Sequence, residues 1–143
     1  MSSRLGLTGT SNPRDPSQWG AMTVSAAGTA RIWEHVLDEM PAADRDLLVA
    51  DMEAAPPRAG DGFDQAFGLL FPGVDGGGGP GAVAKQGWMC CFSGISSMHS
   101  AGAVGSDQRF VVALLTGVPR SGGREAARRE LDRIAAAAVA PLA

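Results

Sequence analysis

The segment RFVVALLT, residues 109–116, constrains the fold most. Side chains on a strand alternate between two faces, and here both sets are apolar: Phe110, Val112 and Leu114 on one, Val111, Ala113 and Leu115 on the other. A strand of this kind needs cover on both sides. Two more strand-like segments precede it, over Ala82–Phe92 and Met98–Val104, and GSDQ at 105–108 reads as the turn between the second and third. Links this short make neighbouring strands antiparallel.

Helical patterns supply the cover. Thr23 or Ser25 can cap a helix in which Ile32, Val36 and Met40 recur every four residues, widened by Trp33 and Leu37. Pro41 interrupts that stripe and suits the first turn of a second helix, Ala42–Glu53, with Leu47, Leu48 and Met52 inward. Beyond Pro119, Ser121 or Gly122 opens a last helix. Its apolar stripe is Leu131, Ile134, Ala138 and Leu142, and Arg128, Arg129, Asp132 and Arg133 form a solvated face. Residues 1–20 read as loop. In GDGFDQAFGLLFPG, residues 60–73, Phe63, Phe67 and Leu70 are candidates for the core, while Asp61 and Asp64 belong to a solvated loop that lacks the closing glutamate of a calcium site. Residues 73–81 form a flexible Gly-rich connector. The expectation is one α+β domain over residues 1–143: two N-terminal helices, then a three-stranded antiparallel sheet packed by a C-terminal helix.

Composition narrows the function. With 143 residues, 45% of them apolar, the chain can bury a core of its own. A net charge of −3 without a basic run argues against nucleic acid as a partner. No apolar run reaches the roughly 18 residues that span a bilayer. The opening MSSRLGLTGTSNPRDP lacks the apolar core of a secretory signal, so the chain as it stands is expected in the cytoplasm. Cys90 and Cys91 are adjacent, and neighbours on a strand face opposite ways, so they read as two small buried apolar side chains rather than a disulfide. His35 and His99 stand alone in the sequence and read as packing residues. No metal site and no cofactor is expected. The glycines before Lys85 do not make a phosphate loop, because Ala82, Val83 and Ala84 intervene and Gln86 follows.

One cation is distinctive. Lys85 is the only lysine, against eleven arginines. An ammonium is compact and donates in several directions, where a guanidinium is a bulky planar fork that keeps its proton. The order loop, helix, helix, loop, Lys-x-Gly strand, strand, strand, helix resembles the C-terminal part of a penicillin-recognising serine hydrolase, the superfamily of class A β-lactamases and DD-peptidases. Members carry Lys-Thr-Gly on an edge strand beside the active site, and Lys85-Gln86-Gly87 is similar in kind and place. WGAMTVSAAGTARIWEHVL resembles the capped helix that returns from the helical lobe, DGFDQAFGLL the approach to the motif strand, and HSAGAVGSDQRFVVALLTG the strand pair behind it.

The resemblance implies a catalytic role for Lys85, which would hold a substrate carboxylate and shape proton transfer. It implies substrate binding at Gln86, Gly87 and Trp88. Gly87 would admit substrate backbone, and the Trp88 backbone N–H would correspond to one oxyanion donor. The implied substrate is a small-molecule or peptide carboxylate, and such families usually work outside the cytoplasm. The departures are equally plain. Ser-x-x-Lys, the family's nucleophile motif, does not occur: Ala82 stands three residues before the sole lysine. The Ser-x-Asn triplet and the deacylating glutamate have no counterpart, and Gln86 replaces the motif's hydroxyl residue. Three readings follow: the C-terminal portion of such a hydrolase, inactive alone; a non-catalytic binding module using the groove beside Lys85; or an unrelated interaction domain. Without the family's N-terminal strands the third strand keeps an open edge. That edge predicts a homo-oligomer, a partner, or a missing N-terminal half.

Overall fold

Ser93 and Gly94 close the first hairpin of the sheet. Both have positive φ, 51° and 77°, the backbone that a two-residue hairpin turn requires and that glycine adopts most readily. Phe92 therefore pairs with Ile95, and β1 (Val83–Phe92) runs antiparallel to β2 (Ile95–Val104). A second short link returns the chain into β3 (Phe110–Pro119), antiparallel to β2 from Val104↔Phe110 to Ile95↔Pro119. In this computed structural model, which describes residues 4–74, 82–105 and 107–142, the order is β1-β2-β3 with β2 central. The Gly-rich connector expected at 73–81 lies, from Asp75 to Gly81, outside the described residues.

The helices are α1 (Ala26–Glu34), α2 (Ala42–Glu53) and α3 (Gly123–Val139). Ser25 caps α1, its hydroxyl accepting from the Gly28 N–H at 3.0 Å. A wide turn over His35–Glu39 follows, closed by Met40 N–H to His35 carbonyl, and Pro41 sits just ahead of α2 rather than within it. The α+β arrangement expected from the sequence is the one present.

Two apolar layers sandwich the sheet, as the doubly apolar β3 demanded. On one face Trp33 of α1 and Val49 and Met52 of α2 pack on Val83, Ala101, Val111 and Ala113. On the other, Leu131, Ala127, Ala135 and Val139 of α3 cover Met98, Val104, Val112 and Leu114. Small side chains at 127 and 135 let the helix lie close, so the buried stripe is 127/131/135/139. The expected Ile134 and Ala138 flank it half-buried. Leu47, expected inward, is 64% exposed, and Val49 packs on the sheet with Met52 instead.

The segment between α2 and β1 is held more tightly than its composition suggested. Phe67 and Leu69 are fully buried, and polar side chains from three elements grip their backbone. Gln86 of β1 donates to the Phe67 carbonyl, Ser100 of β2 accepts from Leu69 N–H at 3.0 Å, and Asp132 of α3 accepts from Gly68 N–H at 2.6 Å. Arg128 donates to the Ala66 carbonyl at 2.8 Å and to Asp64 at 3.1 Å. Arg128 and Asp132 are thus not on a solvated face; they serve the loop. Burial pushes the Asp132 carboxyl up, against the opposing pull of the Gly68 N–H and Arg128.

Gly68 has φ +59°, and a Cβ there would stand 2.5 Å from the Cβ of Ser100. Gly68→Ala is expected to cost about 2–4 kcal/mol in denaturant unfolding, from the left-handed backbone and the clash together. Gly60→Ala, with nothing within 4 Å of the new methyl, should change stability by no more than about 0.5 kcal/mol.

Candidate functional site

Strand alternation divides the Lys85–Trp88 motif between two environments. Lys85 and Gly87 face the α1/α2 side, opposite Ala101 and His99. Gln86 and Trp88 face the α3 side, opposite Ser100 and Met98. The structure therefore does not bring the four candidate side chains together.

On the first side Lys85 is exposed. Its Nζ donates to the Gln86 backbone carbonyl, and among the described residues it has no carboxylate partner. Above Gly87 the space is open: a Cβ would meet only the His99 Cβ, at an ordinary 3.8 Å. His99 is half-buried, and its Nδ1 accepts from the Thr116 N–H at 3.2 Å. The neutral ring then carries its proton on Nε2. Burial lowers the His99 pKa below the ordinary histidine value, with the Met98 backbone pulling the other way. The sequence showed His99 as an isolated packing residue. Register alone puts it across from Gly87, and the Ser93-Gly94 turn does not reveal it: counting back from Phe92↔Ile95 would set Gly87 against Ser100, and the irregularity between Cys90 and Phe92 shifts the pairing by one.

On the second side Gln86 is buried, its amide engaged with the Phe67 carbonyl and, at 3.3 Å, with that of Gln65. Its side chain serves the loop clamp. The Trp88 ring lines a cleft of about 310 Å³ with Asp61, Phe63, Arg124 and Arg128. Cys90 is exposed and Cys91 half-buried, so they are not the two buried apolar side chains expected. The pairing of β1 with β2 is irregular between Cys90 and Phe92, so strict two-face alternation breaks down there. Among the described residues no group of three or more His, Cys, Asp or Glu side chains is placed to hold a metal ion. No helix there is long and apolar enough to cross a membrane.

No protein-family profile and no solved structure matches the chain. Proteins provisionally named lipoprotein LppW, from Mycobacterium tuberculosis and Mycobacterium bovis, are similar to it: 33% identical over 115 residues, covering 78% of this chain. The match spans only 35% of those relatives' length.

The depressed His99 pKa carries a pH prediction. A group whose pKa falls on folding stabilises the fold above its unfolded pKa, and that contribution is lost as pH drops through the folded value. Stability should therefore hold above about pH 6.5 and decline below it. His99→Gln, which keeps an acceptor for Thr116 N–H, should flatten that part of the profile in urea titrations run at stepped pH.

Proposed function

We infer that this chain is the C-terminal portion of a serine hydrolase resembling the β-lactamases and DD-peptidases, with Lys85 on the active-site strand and the nucleophile supplied from elsewhere. The observation that carries the reading is Gly87. A glycine inside a strand costs roughly 0.5–1 kcal/mol. No neighbour crowds the position, since the nearest atom to a Cβ there is 3.8 Å away. Packing does not require it; a ligand backbone laid against the strand would. Lys85 lies two residues away on the same face of an edge strand, exposed and without a carboxylate partner among the described residues. There it could receive a substrate carboxylate. The placement of β1 at one edge, β3 at the other and α3 across the back agrees with the resemblance.

In this reading Lys85 supplies a fixed positive charge beside the reacting carbonyl, and a donor for the carboxylate of a peptide or β-lactam-like amide. The Trp88 backbone N–H would serve as one oxyanion donor. The acyl-forming serine and its base would come from a Ser-x-x-Lys segment that the 143 residues do not contain. A second reading, a binding module without chemistry, rests on the same unpartnered Lys85. It predicts reversible carboxylate binding that Lys85→Ala abolishes.

Fluorescent penicillin separates the two. The 143-residue chain alone should gain no covalent label, and a label on any of its serines would contradict the reading. A longer protein that includes an upstream Ser-x-x-Lys should be labelled, and Lys85→Ala in it should slow labelling by about 10²-fold or more. Unchanged labelling would remove Lys85 from the site.

A further inference from the structure

The β1–β2 hairpin ends in an apolar tip. Among the described residues five large apolar side chains stay exposed, and three of them, Trp88, Phe92 and Ile95, belong to this hairpin. Phe92 is 69% exposed and pairs across the two-residue turn with Ile95, itself 39% exposed. Paired residues share a face. Ile95 alternates with the residues between it and Ala101 on β2, so the pair lies on the α1/α2 side. Cover on that side stops short of the tip. Trp33, Val49 and Met52 pack at the Val83 and Ala101 end. The short turn Trp19–Ala21 reaches only as far as Met89, where a Cβ on Gly20 would stand 3.0 Å from the Met89 methyl carbon. Trp88 faces the other way, against Phe63 and Arg124, and is not part of the tip.

Charge at the tip has one sign. β1, β2 and β3 contain no Asp or Glu. The first charged residue after β3 is Arg120, whose N–H donates to the Gly94 carbonyl at 2.8 Å and so holds a guanidinium next to the turn. Arg120 has no ion-pair partner among the described residues. Asp61 and Glu125 line the Trp88 cleft, roughly 13 Å back along β1 from Phe92. Asp15, ahead of the Trp19–Ala21 turn, is engaged by the Ser17 N–H and hydroxyl. A second copy docked tip to tip would set one Arg120 against another. Area also argues against a protein partner. With about 200 Å² for a whole Phe, a 69% exposed Phe92 leaves on the order of 140 Å² outside, and Ile95 adds less. A stable protein interface buries about 800 Å² on each partner. A bilayer sets no such minimum: apolar surface gains by leaving water for acyl chains, and anionic headgroups attract an arginine beside it.

We propose that the hairpin tip, Phe92 and Ile95, inserts into the surface of a bilayer that carries anionic lipid, with Arg120 at the headgroups. The proposal goes beyond the hydrolase reading and does not rest on it. The test is co-sedimentation of the 143-residue chain with vesicles of phosphatidylcholine alone and of equal parts phosphatidylcholine and phosphatidylglycerol. The chain should bind the mixed vesicles saturably. Phe92→Ser, at a position this exposed, should keep the melting temperature and weaken that binding by about tenfold or more. Arg120→Gln, which keeps the backbone bond to Gly94, should weaken it about fivefold. Leu47→Ser, at an equally exposed apolar position on α2, should bind as the parent chain does. No binding to the mixed vesicles overturns the proposal. So does unchanged binding by Phe92→Ser, or an equal loss in Leu47→Ser, which would mark unspecific adhesion of apolar surface. Self-association without vesicles that Phe92→Ser abolishes would give the tip to a second copy instead, and overturns it too.

Discussion

The grip on the backbone of residues 66–69 is the constraint on which the rest depends. This stretch has no strand partner to satisfy its N–H and C=O groups, yet Phe67 and Leu69 are fully buried. Buried backbone must be hydrogen-bonded, and the chain meets the need with side chains from β1, β2 and α3. Each of those residues is polar in an otherwise apolar layer and would be costly there without its partner. Removing the Asp132 or Ser100 acceptor leaves the Gly68 or Leu69 N–H buried and unpaired, at about 1–3 kcal/mol. The clamp also fixes α3 against the sheet, because Arg128 and Asp132 lie on the same helix as the core residues Ala127 and Leu131.

From that clamp the two faces of β1 acquire different work. Gln86 is spent on structure, and two residues on, Trp88 becomes the floor of a cleft whose wall is the 61–64 loop and whose other side is the start of α3. Lys85 and Gly87, one residue out of phase, are left on the opposite face beside His99. A strand thus serves both as an internal anchor and as an open edge. The β3 edge is different in kind. Its residues are apolar on both faces and none is fully buried, the state of a strand that lacks an outer neighbour.

The strands and helices were legible because their signals were local. The doubly apolar β3, the Ser25 cap and the break at Pro41 all rest on a few adjacent residues, and the structure places elements where they indicate. The Ser93-Gly94 turn was equally local and passed over, so β2 was expected to begin at Met98 instead of Ile95. What the sequence hid was tertiary. Arg128 and Asp132 look like any charged helix face until Asp64, Ala66 and Gly68 are brought to them across 64 residues or nearly so. The motif at 85–88 was visible as a word, but its division between two faces follows from period-two alternation and splits the side chains that the word groups together.

The proposed function requires a longer serine hydrolase of which this chain is one part. The most direct test is the intact mass of the native polypeptide in its source cells, captured through an antibody to α3. The account predicts a product well above 14.6 kDa whose additional sequence includes Ser-x-x-Lys. A native product of 14.6 kDa, or a longer one without that motif, would contradict it.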